Sequence, residues 1–222
     1  MKAYYQDQDV LIWHGDAREV LPTITTAALV CTDPPYNVGK AYDTHNDSMP
    51  DSEYESFMRD VLRECQRIAP KQAWIAPRYK MPLFTQLMPA AHMVVVRRRA
   101  AGPYRGGWSD QFETTLVIGK PNRMVPDLWD DIRLKGEGYF FREETYGHPG
   151  YTPEPLMTRL ISLLSEPGET VVDPFCGTGT SARAAKNLGR KFIGIEESER
   201  YCQIAADRMA QTVMPLLAQE AP

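Results

Sequence analysis

The feature of this chain that most restricts its fold is the alternation of short apolar runs with segments of helical spacing. The apolar runs predict strands at 10–13, 27–32, 73–76, 93–96, 114–118, 170–172 and 191–196. The helical spacing predicts helices at 17–21, 52–69, 81–88, 155–165, 181–188 and 199–210. Because parallel strands need long crossover connections, which are usually helices, this order predicts an α/β fold: a mostly parallel twisted sheet with helices on both faces.

The segment 52–69 carries the strongest helical pattern in the chain. Its apolar residues recur at intervals of three and four, which places them on one face of a helix. Ser52 and Glu55 have the spacing of a capping box, and Pro70 marks the end of the helix.

Composition and charge exclude several classes of protein. The chain has 222 residues, of which 43% are hydrophobic and 24% charged, as is usual for a soluble globular domain. It contains no run near the roughly 20 apolar residues that cross a bilayer, and the first ten residues lack the apolar core of a signal peptide. We therefore expect a cytoplasmic protein made of one domain, 1–222.

The four cysteines give no indication of a metal site. They are scattered, with no C-x-x-C pair and no histidine at metal-ligand spacing: Cys31, Cys65, Cys176 and Cys202. We interpret them as buried thiols and expect no metal.

A glycine-rich turn follows the predicted strand 170–172, and residues 173–180 read DPFCGTGT. Gly177 and Gly179 allow the backbone to turn tightly and to approach a ligand closely. Glu196 ends the next predicted strand, nineteen residues after Gly177, where a carboxylate can accept hydrogen bonds from the hydroxyls of a ribose. This spacing predicts a site for a nucleoside cofactor.

The charge of Asp173 bears on which cofactor this is. A carboxylate beside the turn would repel a pyrophosphate but attract the ammonium group of S-adenosylmethionine. A nicotinamide-dependent oxidoreductase would use the same glycines and Glu196, and it remains an alternative at this stage.

A second motif, Asp33-Pro34-Pro35-Tyr36, follows the predicted strand 27–32. The two prolines hold the segment extended and rigid, because each fixes its own φ and restricts the residue before it. The Asp33 carboxylate and the Pro34 carbonyl then form a pair of acceptors beside an aromatic ring. This set matches the two N–H donors and the π face of a nucleobase carrying an exocyclic amine.

Basic side chains are concentrated in one stretch of a chain whose net charge is −4. Residues 97–123 hold six basic and two acidic side chains, a local charge of +4, which suits a polyanion such as DNA. Arg105 and Trp108 flank a glycine pair in a loop that could enter a DNA groove. A charged edge strand around Arg97 and Arg99 is the alternative interpretation.

Together the two motifs resemble those of the DNA amino-methyltransferases, which methylate exocyclic nitrogens of adenine or cytosine. DPPY at 33–36 is similar to the catalytic motif of that family and DPFCGTGT at 173–180 to its cofactor motif. The catalytic motif comes first, as in the circularly permuted β group. The resemblance implies a Rossmann-like, S-adenosylmethionine-dependent methyltransferase fold, with 97–147 as an inserted target-recognition region.

The resemblance also implies roles for individual residues. The catalytic residues would be Asp33, Pro34, Pro35 and Tyr36. The cofactor would be held by Asp16, Asp173, Phe175, Cys176, Gly177, Thr178, Gly179, Thr180 and Glu196. The DNA would be contacted by Asn37, Lys40, Arg97, Arg99, Arg105 and Trp108. One departure concerns Thr152, which stands where the family often has the lysine of H-P-T-Q-K-P.

The function implied is site-specific methylation of adenine N6 in double-stranded DNA, with the adenine flipped out of the duplex. Cytosine-N4 methylation is the alternative within the same chemistry, and a non-catalytic DNA-binding subunit is a more remote one. A homodimer would double the contact area with DNA.

Overall fold

The computed structural model describes residues 2–39, 48–97, 104–105, 108–109, 112–132 and 152–211. The strands within them are β1 (Tyr5–Gln6), β2 (Val10–His14), β3 (Leu29–Thr32), β4 (Lys71–Ala76), β5 (His92–Arg97), β6 (Tyr104–Arg105), β7 (Trp108–Ser109), β8 (Phe112–Ile118), β9 (Leu128–Trp129), β10 (Thr170–Asp173) and β11 (Lys191–Glu196). The α-helices are α1 (Ala17–Val20), α2 (Asp51–Ile68), α3 (Met81–Leu87), α4 (Glu154–Leu164), α5 (Thr180–Asn187) and α6 (Glu199–Ala210). Every predicted strand and helix is present, with bounds that differ by at most two residues.

Nine of the strands form one sheet in the order β1-β2-β11-β10-β3-β4-β8-β5-β9. The five strands from β2 to β4 in this order are parallel, and β8 is antiparallel to both β4 and β5. The fold is therefore the expected Rossmann-like, mostly parallel sheet. Strands β10 and β11, from the last third of the chain, lie between β2 and β3 from the first third.

Helices cover both faces of the sheet because alternate strand residues are apolar on both sides. Leu29 and Cys31 of β3 belong to the core that includes residues of α4, α5 and α6, whereas Val30 belongs to the core that includes residues of α1, α2 and α3. This sandwich positions the carboxyl ends of β2, β11, β10, β3 and β4 along one edge, where ligands bind in such sheets.

The expected capping box at the start of α2 is wrong. The helix begins at Asp51, its N-cap is Pro50, and no side chain caps it. Ser52 therefore lies inside the first turn. Asp51 and Glu53 place negative charge in that turn, where it interacts favourably with the positive end of the helix dipole.

Part of the region 97–147 is integral to the main sheet. β8 pairs with β4 and β5, and β9 pairs with β5. β6 and β7 form a separate two-stranded hairpin. Residues 98–103, 106–107, 110–111 and 133–147 of the expected target-recognition region lie outside the described residues, so its extent stays a prediction. None of the helices described is both long and apolar enough to cross a membrane.

Candidate active site

The two sequence motifs lie side by side, although about 140 residues separate them in the chain. β10 and β3 pair in parallel, with Val171 opposite Leu29 and Val172 opposite Val30. The Thr32 hydroxyl at the end of β3 donates a hydrogen bond of 2.6 Å to the Asp173 carboxylate at the end of β10. One cleft is lined by both motifs: Asp33, Thr152, Met157, Asp173, Phe175, Cys176, Gly177, Thr178, Thr180 and Ser181.

The turn after β10 depends on its glycines. Gly177 and Gly179 have φ of 50° and 83°, a left-handed conformation that favours glycine. A Cβ on Gly179 would lie 3.0 Å from the Cβ of Ala205 in α6. Gly179 is also the N-cap of α5, so the turn delivers the chain directly into that helix.

Asp173 is buried and accepts hydrogen bonds from three donors. Besides Thr32, the Ser181 hydroxyl donates to Oδ2 at 2.5 Å and the Phe175 amide donates to Oδ1 at 3.0 Å. Burial raises the pKa of Asp173 to about 6, while these three hydrogen bonds act in the opposite direction. The carboxylate thus holds the turn in shape while it lines the cleft.

Glu196 connects the same turn to the next strand. Its carboxylate accepts hydrogen bonds from the Gly177 amide at 2.9 Å and from the Ser198 amide at 2.8 Å. Burial raises the pKa of Glu196 to about 7, and the two amides lower it in part. Each carboxylate oxygen has more than one acceptor site, so these bonds leave capacity for a ligand hydroxyl.

Asp16 lies beyond β2, the strand next to β11. Its carboxylate caps α1 by accepting from the Arg18 amide, and it also pairs with the Arg18 guanidinium at 2.5 Å. The Gly15 amide donates to the Glu196 carbonyl at 2.9 Å, which joins the ends of β2 and β11.

Phe175, in the glycine turn, packs near α2. The centroid of its ring lies 5.8 Å from that of the Phe57 ring.

Cys176 is buried beside Gly194 of β11. A Cβ on Gly194 would lie 2.8 Å from the Cys176 sulfur, so the turn packs against bare backbone. Burial raises the pKa of this thiol well above its usual range. All four cysteines are buried and free, as expected.

The Asp33 carboxylate accepts hydrogen bonds on both of its oxygens. The Tyr36 hydroxyl donates to Oδ1, and the Thr152 hydroxyl donates to Oδ2. The Tyr54 hydroxyl of α2 donates to the Pro35 carbonyl at 2.8 Å, which ties the diproline segment to the body of the protein. The Tyr36 ring meets the exposed ring of Tyr79 edge to face, with centroids 6.4 Å apart.

Sequence reasoning missed the hydroxyl donors at this site. Thr32 and Ser181 bond to Asp173, and Thr152 bonds to Asp33. Thr32 and Ser181 are next to the two motifs in the chain, and this proximity could have identified them as site residues. Thr152 is 119 positions from Asp33, and only its departure from the family pattern drew attention to it.

Of the residues expected to contact DNA, the structure describes Asn37, Arg97 and the backbone of Arg105 and Trp108. Asn37 has φ of 55°, and its side chain bonds to the backbone of Met49, which brackets the stretch 40–47. Arg97 is exposed at the end of β5. Arg105 and Trp108 are paired in the β6–β7 hairpin, while Lys40 and Arg99 lie outside the described residues, as does His148.

The sheet order, the glycine turn after β10 and the diproline segment after β3 agree with the expected Rossmann-like fold of S-adenosylmethionine-dependent methyltransferases. A family model for DNA methylases that act on N6 or N4 amines matches residues 108–207. The type II methyltransferase M.HpaI of Haemophilus parainfluenzae is 25% identical over 217 residues, covering 82% of this chain and 67% of the relative. The DNA adenine methyltransferase YhdJ of Escherichia coli (strain K12) is 26% identical over 245 residues, covering 89% of this chain and 82% of the relative.

Solved structures agree on the fold. The PvuII DNA methyltransferase, described as cytosine-N4-specific, has a TM-score of 0.75 at 18% identity, covering 96% of this chain and 90% of that one. M1.HpyAVI, in a complex with SAM, has a TM-score of 0.66 at 21% identity, covering 91% and 100%. The family model and these relatives show that the chain is similar to DNA amino-methyltransferases.

Proposed function

We propose that this protein transfers a methyl group from S-adenosylmethionine to the exocyclic N6 amine of an adenine flipped out of double-stranded DNA. The observation that carries the proposal is the single cleft bounded by Asp33 on one side and by the buried carboxylate Asp173 with its glycine turn on the other. Such a cleft brings an acceptor for an amine next to a site for a nucleoside cofactor.

The chemistry of the cofactor side fits S-adenosylmethionine. Asp173 precedes the turn, and Glu196 of β11 accepts a hydrogen bond from the Gly177 amide within it. The two supply negative charge and acceptors, which suit an ammonium group and the hydroxyls of a ribose. The Asp173 carboxylate beside the turn would repel a pyrophosphate, which argues against a nicotinamide dinucleotide. A solved relative in complex with SAM supports the same conclusion.

The residues of the β3 side would prepare the target amine. The lone pair of an exocyclic amine is delocalised into the ring, so the nitrogen is a weak nucleophile. Acceptance of its hydrogens by Asp33 and by the Pro34 carbonyl would favour a tetrahedral nitrogen and free that lone pair. S-adenosylmethionine, when bound, supplies the electrophilic sulfonium methyl. The proton released after transfer would pass to Asp33 or to water.

Tyr36 would hold the flipped base. Its ring adjoins Asp33, and stacking of a base on an aromatic ring contributes about 1–3 kcal/mol. In the unliganded site the Tyr36 hydroxyl bonds to Asp33 Oδ1, so an arriving amine would compete with that hydroxyl for the same oxygen.

Adenine is the favoured target for two reasons. The first residue of the DPPY motif is aspartate, which within this family favours adenine. In addition, a relative that is aligned with this chain over 82% of the relative's length is named a DNA adenine methyltransferase. Cytosine N4 is the second candidate, because the PvuII enzyme, described as cytosine-N4-specific, has a similar fold with a TM-score of 0.75.

Duplex DNA as the partner rests on the family and on charge. The basic stretch 97–123 begins at the exposed Arg97 and includes the hairpin of β6 and β7. A positive patch on a chain of net charge −4 would orient the duplex toward one side of the molecule. The relatives named type II methyltransferases support sequence-specific modification as the outcome.

The test is expression in a host that lacks DNA methylation, followed by single-molecule sequencing of its DNA. Digestion of the same DNA to nucleosides separates N6-methyladenine from N4-methylcytosine by mass spectrometry. We expect N6-methyladenine in one sequence context, and none from the Asp33→Ala variant. N4-methylcytosine alone would overturn the choice of base. A purified protein whose melting temperature rises with NADH but not with S-adenosylhomocysteine would overturn the choice of cofactor.

A further inference from the structure

Thr152 contacts the catalytic carboxylate from a distant part of the chain. The residue is 8% exposed, and its hydroxyl donates a hydrogen bond to Asp33 Oδ2. Tyr36 donates to the other oxygen, Oδ1. Thr152 and Tyr36 thus bond to different oxygens, and of these two donors only Tyr36 belongs to the DPPY motif.

The surrounding structure holds Thr152 in this position. It precedes Pro153, the N-cap residue of α4, and a residue before proline is restricted to extended conformations. Leu156 and Met157, in the first turns of α4, are buried, and the Met157 sulfur lies 3.6 Å from the sulfur of Cys31 in β3. The helix is therefore anchored on β3, the strand that Asp33 follows directly.

We propose that Thr152 is a positioning residue for methyl transfer: its hydroxyl holds the Asp33 carboxylate through Oδ2 and so presents Oδ1 to the target amine. This inference rests on the proposed function of the same site. The carboxyl group of an aspartate rotates freely about its χ2 torsion. A hydrogen-bond donor on one oxygen restricts that rotation and so fixes the direction of the other oxygen. The amine then meets an acceptor that is already oriented.

Loss of this hydroxyl has a defined kinetic signature. Thr152 lines the cleft, and its hydroxyl bonds to a carboxylate oxygen of Asp33. A residue that acts through that carboxylate lowers kcat when its hydroxyl is removed, while the KM for DNA and the affinity for S-adenosylhomocysteine change little. Hydrogen bonds to charged groups contribute more than neutral ones, which gives an expected loss in kcat of about 10- to 100-fold. The hydroxyl also favours the ionised carboxylate, so the acidic limb of the pH–rate profile moves to higher pH without it.

The experiment compares three substitutions in the full-length protein with labelled S-adenosylmethionine and duplex DNA. Thr152→Val removes the hydroxyl at nearly constant volume, and Thr152→Ser keeps it. Thr158→Val is the matched control, because Thr158 lies in α4 beside Arg159 and Ser162, in a different cavity. We expect the loss in kcat and the displaced acidic limb for Thr152→Val only, with Thr152→Ser within about threefold of wild type.

Several results would overturn the inference. They are an unchanged kcat for Thr152→Val, a change confined to KM, or a loss in Thr152→Ser as large as in Thr152→Val. If Thr152→Val fails to show the S-adenosylhomocysteine thermal shift of the wild type, Thr152→Ala is assayed instead, and failure of both rejects a positioning role in favour of a structural one. A wild-type protein that binds S-adenosylhomocysteine but transfers no methyl group would instead count against the proposed function.

Discussion

The glycine turn after β10 and the diproline segment after β3 line the same cleft, but they are stabilised in different ways. In the turn, Asp173, Cys176, Thr178 and Thr180 are all buried, and backbone amides and neighbouring hydroxyls supply the hydrogen bonds. In the diproline segment, Asp33 and Tyr36 are half-buried. Their contacts are with side chains, among them the Thr152 hydroxyl and the Tyr79 ring.

This difference matches the two kinds of ligand proposed for the cleft. A small cofactor can be enclosed by a turn whose shape is complete before binding, because its groups are few and fixed. A base flipped out of a duplex arrives attached to a large polymer, so its site must stay open on one side. The side chains around Asp33 can rearrange, whereas the backbone of the turn cannot do so without breaking buried hydrogen bonds.

The largest expected effect is that of a substitution in the diproline segment alone, which removes the proposed acceptor for the target amine and leaves the glycine turn intact. Asp33→Ala should lower kcat about 10²- to 10⁴-fold, because an oriented acceptor acts mainly in the transition state. The thermal shift produced by S-adenosylhomocysteine should persist, since the glycine turn is unchanged. Asp60→Ala, on the exposed face of α2, is the control. Methyl transfer at the wild-type rate by Asp33→Ala would show that the carboxylate is not catalytic.

The next effect concerns the turn. Gly179 and Gly168 both have φ of 83°, but only at Gly179 would a Cβ meet a neighbour, the Cβ of Ala205 at 3.0 Å. Gly179→Ala and Gly168→Ala should each lose about 1–2 kcal/mol of unfolding free energy through backbone strain, with a further loss at Gly179. Calorimetry should show at least about tenfold weaker binding of S-adenosylhomocysteine in Gly179→Ala alone. Equal binding by both variants would mean that the turn does not hold the cofactor.

The smallest effect follows from the raised pKa values of Asp173 and Glu196, about 6 and about 7. Both carboxyl groups are neutral well below these values and charged above them. Because the ligand carries an ammonium group, affinity for S-adenosylhomocysteine should rise with pH, by about tenfold between pH 5.5 and pH 8. Calorimetry in two buffers of different ionisation enthalpy should show proton release on binding near pH 6. Affinity that falls as pH rises would contradict the placement of the cofactor beside these carboxylates.

The secondary structure was predictable because strong local signals coincide with packing. The apolar runs became buried strands, and the pattern of α2 buries Tyr54, Met58, Val61 and Cys65. The capping box failed because the helix begins at Asp51 with Pro50 as its N-cap, so Ser52 lies inside the first turn. At this helix start, the proline determined the first helical residue, and the Ser52–Glu55 spacing did not.

The candidate site was predictable in its motifs but not in its supporting contacts. Residues that end a strand or follow it directly have their place determined by the strand, which is why Asp33, Asp173 and Glu196 were expected at one edge of the sheet. Thr152 follows no strand, and its approach to Asp33 depends on how α4 packs against β3. No local pattern encodes such a contact.

The amino-acid sequence by itself therefore determined the order of strands and helices and the place of the two motifs after their strands, because these depend on neighbours in the chain. Only the tertiary structure decided that β10 inserts beside β3, that Asp173 is buried among three donors, and that Thr152 reaches Asp33. Strand pairing and burial are set by contacts between residues far apart in the chain, which are stabilised only when the whole sheet and its helices have assembled.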